Sequence, residues 1–273
     1  MAGNDAFEFV TQQGWQAGLK NLLRAEFRHW WKTNTWWVQC LIWISVVDLI
    51  LFTVLFASNS TDELAMPLSE LIVLYGLFGG MFVAIGVVIM MQGAIVGEKI
   101  SGTAAWVLSK PTSRHAFVLS KMMANAFGVV VTGVLIPGIV AYLVISIGAG
   151  VNLPVFNFMG GLGLLILFSL YWLTFTVMLG TFFNARGPVI GIPLALLLGQ
   201  QFVLGIIMSI SPKIADFLPF TIVMPSQDEL ANSIVGNVIL GSPPSSWMPV
   251  ISSIFAIAIF IFTAIWRFRK EEF

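Results

Sequence analysis

Long apolar runs separated by short polar stretches dominate the pattern of this chain. Six runs are long enough to cross the hydrocarbon core of a bilayer as helices, which takes about 20 mostly apolar residues. None of them shows the two-residue alternation of a barrel strand. The pattern predicts an all-α polytopic membrane protein with six transmembrane helices. Their predicted bounds are Trp36–Ala57, Leu68–Val96, Met122–Ile147, Val155–Phe183, Pro188–Ile210 and Pro249–Trp266.

Composition supports lipid as the solvent for these runs. The chain has 273 residues, of which 58% are hydrophobic and 10% charged, and its mean hydropathy is +0.93. Soluble domains carry about 25% charged residues, so this chain has too little polar surface to cover its apolar surface. We expect no soluble enzyme. The polar, tryptophan-rich residues 1–35 lack the pattern of a signal peptide.

The positive charges predict the orientation of the helices. In the six-helix arrangement every Lys and Arg except Lys213 falls on one side of the membrane. By the positive-inside rule that side is the cytoplasm. We therefore expect a multi-pass protein of the cell (inner) membrane with both termini cytoplasmic. The cytoplasmic cations are Lys20, Arg24, Arg28, Lys32, Lys99, Lys110, Arg114, Lys121, Arg186, Arg267, Arg269 and Lys270.

Residues 1–35 form the first predicted domain, and residues 36–273 form the transmembrane domain. The first contains an amphipathic helix, because apolar side chains recur at helical spacing opposite a stripe of cations. We expect this elbow helix to lie on the inner membrane surface, close to anionic lipid. A plain membrane anchor and a contact for a cytoplasmic partner are the two alternatives. Its apolar side chains are Trp15, Leu19, Leu22, Leu23, Phe27, Trp30 and Trp31.

The loop between the second and third spans, residues 97–121, carries the most informative motif. Its apolar positions share one helical face, which predicts a short surface helix with Trp106 off that face. Pro111 ends this helix, and Ser113 can cap the next one. The shared face comprises Ile100, Thr103, Ala104, Val107 and Leu108.

This loop is similar to that of type-2 ABC transporter permeases. In that family a Glu precedes Gly-Thr, a leucine-rich stretch follows, and a Pro-x-Ser-Arg turn leads to Gly-Lys or Ser-Lys. Trp106 stands where relatives often have leucine. We include it among the residues expected to contact a partner subunit. The matching residues are Glu98, Gly102, Thr103, Leu108, Pro111, Ser113, Arg114 and Lys121.

The resemblance implies a coupling helix that docks into a groove on a separate ATP-binding subunit. Two permease copies, or this chain and a homologous one, would enclose the pathway. ATP and magnesium would bind to the partner ATPases, and export is the family's usual direction. For the motif alone, the alternative is a loop shaped by Gly102, Thr103 and Pro111. For the chain, it is a non-transporting membrane anchor or assembly subunit of a larger complex.

Chemistry within the chain itself is sparse. Gly93–Lys99 faintly resembles a phosphate-binding loop, but the Glu98 carboxylate would repel phosphate. We therefore expect ATP hydrolysis in a partner and no cofactor in this chain. His29 and His115 are the only histidines and lie outside the spans, which disfavours haem, zinc and redox-subunit roles. Nothing in the pattern indicates a metal site or nucleic-acid binding.

Four polar side chains inside the spans are candidates for a transport pathway. Asp48 is the one carboxylate well within a span, and placing it in lipid costs about 2.5–3.5 kcal/mol on insertion scales. It can face water, pair with another helix or carry a proton. Gln92, Gln200 and Gln201 can bond across helices or line a polar path.

Prolines and small residues predict bends and close approaches between helices. Pro137 and Pro193 are expected to kink the third and fifth spans. Small residues four apart permit close helix contact. The two such pairs are Gly76 with Gly80 and Gly187 with Gly191.

The outer segment, residues 211–248, separates the last two spans. Ser226-Gln227-Asp228-Glu229 has the pattern of a capping box, and Gly241 with Pro243-Pro244 is a stop signal. Between them we expect a short amphipathic helix that dips into the outer leaflet; the alternative is a surface loop with a lipid-seeking face. Its predicted apolar face comprises Leu230, Ile234, Val235, Val238 and Ile239.

Overall fold

The computed structural model describes residues 14–60, 66–211, 214, 217–224, 233–244 and 246–272. All regular structure in these residues is helical, as predicted. Five helices have the length and hydropathy to cross a membrane, and a bent pair, counted as one span, brings the number to six. In chain order, spans 1 to 6 are Thr35–Ala57, Leu68–Ile100, Arg114–Gly148, Val155–Phe182, Arg186–Leu198 with Gln200–Ile210, and Met248–Arg269.

Four shorter helices complete the described structure. The N-terminal helix, Leu19–Trp31, precedes span 1, and a second short helix, Thr103–Leu108, lies between spans 2 and 3. A 3₁₀ turn, Pro219–Ile222, and the helix Ile234–Leu240 belong to the outer segment. The end of the bundle that carries most of the cations is called the basic end, and the opposite one the far end.

Span 4 is the central helix of the bundle. It packs against spans 2, 5 and 6 and against the helix Ile234–Leu240. Its most apolar stretch is 61% buried inside the protein, whereas that of span 6 is only 17% buried. A helix that is apolar on every side suits this central place. Its large buried side chains include Phe168, Trp172, Leu173 and Val177.

Spans 1, 2 and 3 each contain one π-helical turn, at Ile44–Asp48, Phe78–Phe82 and Val130–Leu135. The turns of spans 1 and 2 pack against each other. Pro137 follows the third turn and has no N–H to donate to the preceding turn of helix. At the kink predicted for Pro137, the structure has a π-helical turn, which is wider than an α-helical one.

Span 5, predicted over Pro188–Ile210 with a kink at Pro193, bends at a different residue. It consists of two helices that meet at an angle of 64°, and the junction is Gly199 rather than Pro193, which lies inside the first helix. A Cβ added at Gly199 would lie 2.6 Å from the carbonyl oxygen of Ala195. Only glycine fits this backbone without a shift, so the bend is tied to Gly199.

The helix Ile234–Leu240 of the outer segment packs its apolar face on protein, which corrects the expectation that this face enters lipid. Val235 and Ile239 are fully buried, and their helix packs against spans 2 and 4. Ser233 caps it by accepting a hydrogen bond from Gly236 N at 3.1 Å, and Gly241 ends it with a φ of +76°. The predicted capping box at 226–229 and Leu230 lie outside the described residues.

The two predicted glycine pairs have different surroundings. Gly76 and Gly80 accept outer-segment side chains, since Cβ atoms added there would lie 3.4 Å from Val235 Cγ1 and 2.4 Å from Val223 Cγ1. Around Gly187 and Gly191 no atom of the described chain lies within 4 Å of an added Cβ. The first pair is a docking surface for the outer segment.

The seat of the helix Ile234–Leu240 can be tested with one glycine of span 4. A Cβ at Gly161 would lie 2.4 Å from Ile239 Cγ1, so we expect Gly161→Ala to destabilise the protein by about 1–3 kcal/mol through overpacking. Thermal melting of the detergent-purified protein measures the loss.

Gly163→Ala is the matched control on the same helix, because nothing lies within 4 Å of its added Cβ. Alanine is the better helix former by up to about 1 kcal/mol, so this variant should melt at or above the wild-type temperature. Equal melting of the two variants would contradict the buried position of the outer helix.

Candidate functional site

The inter-span segment, residues 97–121, folds at the basic end as two short helical pieces. The piece Val96–Ile100 continues span 2, and Thr103–Leu108 is the surface helix that the pattern predicts. Gly102 joins them with a φ of +73°, a left-handed conformation that favours glycine. The Ser101 and Thr103 hydroxyls hydrogen-bond each other across this turn at 2.7 Å.

Ser113 begins span 3 and ties it to the chain before the N-terminal helix. Its Oγ accepts a hydrogen bond from Ala116 N at 2.9 Å, as expected of a cap. The same hydroxyl donates to the carbonyl of Trp15, and Ser113 N donates to Ala17 O at 2.9 Å. The predicted cap is therefore also a junction between two parts of the basic end.

Lys121 forms the central ion pairs of the site. Its Nζ lies 2.5 Å from Glu98 Oε1, at the end of span 2, and 2.7 Å from Glu26 Oε1, on the N-terminal helix. The three side chains are 12–23% exposed, so their attraction is screened less than that of fully exposed ions. One cation thus joins the N-terminal helix, span 2 and span 3.

An aromatic contact reinforces the same junction. Trp30 of the N-terminal helix donates from Nε1 to Asn125 Oδ1 at 2.8 Å, and Asn125 Nδ2 donates to the carbonyl of Lys121 at 2.7 Å. The indole lies against Gly128, where an added Cβ would lie 2.4 Å from the ring. The predicted elbow helix therefore packs its Trp30 face on span 3.

Lys99 joins three spans from the inside of the bundle. Its Nζ lies 2.9 Å from Glu271 Oε1, just after span 6. It also donates to the carbonyl of Thr181, at the end of span 4, at 3.1 Å and to Asn184 Oδ1 at 3.3 Å. Arg114 adds a second link to span 6, from Nη1 to Arg269 O at 2.5 Å.

The surface helix Thr103–Leu108 is anchored on one side and open on the other. Ala104 is fully buried, whereas Trp106 is 62% exposed. Lys110 Nζ lies 3.5 Å from the centroid of the Trp106 ring, a cation–π contact that holds the indole in place. An open cleft next to this helix is lined by Ala105, Leu108, Ser109, Thr112 and Arg114.

The structure brings together only some of the residues that the motif marks. Glu98 contacts Lys121, and Ser113 and Arg114 begin span 3 beside their partners. Exposed residues of the motif face solvent: they are Gly102, Thr103, Trp106 and Pro111. Sequence reasoning missed three partners, Glu26, Lys99 and Glu271. The only sequence signal for them is their charge, which many residues of the basic end share.

The four candidate pathway residues do not hydrogen-bond one another within the described chain. Gln92 is half-buried in the turn near the basic end of span 2. At the bend of span 5, Gln200 donates to Met81 Sδ at 3.5 Å and Gln201 to Met224 Sδ at 3.1 Å. Asp48 lies buried in span 1.

No group of three or more His, Cys, Asp and Glu side chains in the described parts of the chain is arranged to hold a metal ion.

Comparison with known families gives a match that covers nearly the whole chain. A family model described as "ABC-2 family transporter protein" matches residues 8–273. A comparison with curated proteins gives no match.

The pairing of Lys121 with two carboxylates can be tested by stability measurements. We expect Lys121→Met to cost about 2 kcal/mol, because it leaves Glu26 and Glu98 partly buried without a cation. Thermal melting of the purified protein measures this cost. Lys20→Met, on the exposed face of the N-terminal helix, is the control and should change the melting temperature little.

Neutralising the two carboxylates in the Lys121→Met background should restore most of the lost stability, because the uncompensated charges are then gone. A triple variant with Glu26→Gln and Glu98→Gln that melts below Lys121→Met would show that these side chains do not act as one ion cluster.

Proposed function

This chain belongs to the ABC-2 family of transporter proteins, and we propose that it is the permease of an ATP-driven exporter whose ATPase is a separate subunit. The family match over residues 8–273 and the apolar helices establish a multi-pass membrane permease. The partner, its docking surface and the direction of transport are the proposal. Export follows the family's usual direction.

Charge supports placing the basic end in the cytoplasm. The described cations cluster at the ends of spans 2, 3, 5 and 6 that adjoin the inter-span segment, and four more, Lys20, Arg24, Arg28 and Lys32, are exposed at the N-terminal helix. Positively charged loops are retained on the cytoplasmic side. ATP and magnesium are available in the cytoplasm, so an ATPase bound to the basic end would have access to its substrate and metal ion.

The single observation that carries the docking proposal is the construction of the surface helix Thr103–Leu108. Trp106 is exposed and oriented, and tryptophan is among the residues that dominate binding energy at protein interfaces. The same helix is joined at both ends to long spans. We propose that it docks into a groove of the ATPase, with Trp106 as the anchor side chain.

The ion pairs around this helix explain how force on it would reach the membrane. A push on a loosely tethered loop would be lost in bending of that loop. Here Lys121 joins the N-terminal helix to spans 2 and 3, and Lys99 joins spans 2, 4 and 6. Closure of two ATPases can then tilt the spans together as rigid bodies.

We propose that the pathway forms between this chain and a second permease copy or a homologous one. The void where spans 1 to 4 meet has no room for a water molecule, so this part of the single bundle is closed. Spans 1, 5 and 6 expose many apolar side chains, which suits contact with lipid or with another permease. A path between two bundles can open by tilting without dismantling either core.

Replacement of the anchor tests the docking proposal directly. We expect Trp106→Ala to weaken ATPase binding by about 2 kcal/mol, roughly 30-fold, and to leave the melting temperature of the purified permease unchanged. Copurification of the ATPase in mild detergent, quantified against the permease, measures the loss. Phe156→Ala is the control, since Phe156 is 88% exposed at the far end of span 4.

Crosslinking in active membranes adds a test of location. The one native cysteine is Cys40, which is buried, so Cys40→Ala with Trp106→Cys provides a single reactive position. We expect crosslinks from this position to an ABC-type ATPase. Crosslinks exclusively to other membrane proteins, together with full transport by Trp106→Ala, would favour an anchor or assembly subunit.

A further inference from the structure

Asp48 is a buried carboxyl group that the proposed coupling machinery does not use. It lies inside span 1 and ends the π-helical turn Ile44–Asp48. Only 3% of the residue is exposed, and neither carboxylate oxygen has a hydrogen-bond partner in the described structure. A charged carboxylate in such a place would lack both water and donors, and its burial would be strongly unfavourable.

The elements packed against this turn supply no compensating cation. They include the rest of span 1, the π-helical turn Phe78–Phe82 of span 2 and the helix Ile136–Gly148 of span 3. No Lys, Arg or His occurs in 35–57, 68–82 or 130–148. The cations of spans 2 and 3 lie at the basic end, where Lys121 and Lys99 are paired with other groups.

The titratable groups of the spans around this turn also carry no charge that could compensate Asp48. The Tyr142 hydroxyl donates to Leu153 O at 3.1 Å, Glu70 is exposed near the start of span 2, and Tyr171 of span 4 packs on Phe260 of span 6. The remaining groups, the Tyr75 hydroxyl and the Cys40 thiol, are buried. None of these groups carries a positive charge that could neutralise Asp48.

The backbone around Asp48 departs from a regular α-helix. A π-helical turn holds one residue more than the matching α-helical turn, so losing it rotates one part of a span against the other by about 100°. Three such turns occur in spans 1, 2 and 3. They surround a narrow void lined by Val47, Tyr75, Gly79, Gly133, Val134, Pro137, Gly138 and Leu165.

We infer that Asp48 is an intramembrane proton-binding site, which holds a proton in this conformation and releases it when the π-helical turns of spans 1 to 3 repack. The release step rests on the proposed transport function. The O–H bond of the carboxyl breaks, the proton passes to water, and the carboxylate that remains becomes hydrated in the rearranged state. Transport by this permease would then be linked to proton movement.

Infrared spectroscopy of the full chain in lipid nanodiscs tests the bound proton. We expect a protonated-carboxyl C=O band in wild-type protein that is lost in Asp48→Asn, whose amide replaces the neutral acid at nearly equal volume. Asp48→Glu should retain such a band at a shifted frequency. Glu70→Gln, which alters an exposed carboxylate, is the control and should leave the band unchanged. Absence of a band assigned to Asp48 overturns the inference.

Nucleotide trapping of the permease with its ATPase tests release. We expect the Asp48 band to disappear in the trapped complex, and we expect the pH dependence of ATPase turnover to be lost in Asp48→Asn and kept in Asp48→Glu. A band that persists unchanged in a trapped, transport-active complex overturns the release step. A permease that keeps the band but binds no ATPase refutes the proposed function and supports the proton site.

Discussion

The geometry of the basic end depends on the ion pairs of Lys121. This one cation faces two carboxylates that come from the N-terminal helix and from the end of span 2. Partial burial makes these pairs stronger than ordinary surface pairs and makes the loss of the cation costly. Ser113 and Trp30 add hydrogen bonds at the same junction. The inter-span segment is therefore part of the bundle rather than a loose connection between two helices.

Spans 1 to 4 and 6 were predictable because lipid imposes length and hydropathy directly on the sequence. The Ser113 cap was predictable for the related reason that a helix start needs a local acceptor. The partners of Lys121 and Lys99 were not predictable in this way. Glu26 and Glu271 are far from these lysines in sequence, and nothing in a row of similar charges says which of them will meet.

Span 5 and the outer segment show where local sequence patterns are not enough to predict the structure. Pro193 marks a weakened helix, yet the bend lies at Gly199, where the backbone folds too closely over Ala195 for any side chain. The apolar face of Ile234–Leu240 was visible in the sequence. Periodicity alone cannot distinguish a face covered by lipid from one covered by protein. That distinction depends on Gly76 and Gly161, which provide room for the helix on spans 2 and 4.

The surface helix Thr103–Leu108 places the residue that supports the fold and the residues that are open to solvent on different sides. Its inward residue, Ala104, is fully buried, whereas Trp106 on the open side is exposed and contacts Lys110. If this helix docks on an ATPase as proposed, substitutions on the open side would change which subunit is recognised without altering the bundle. In duplicated transporters, a docking helix of this construction would let a permease change its ATPase partner through a few substitutions.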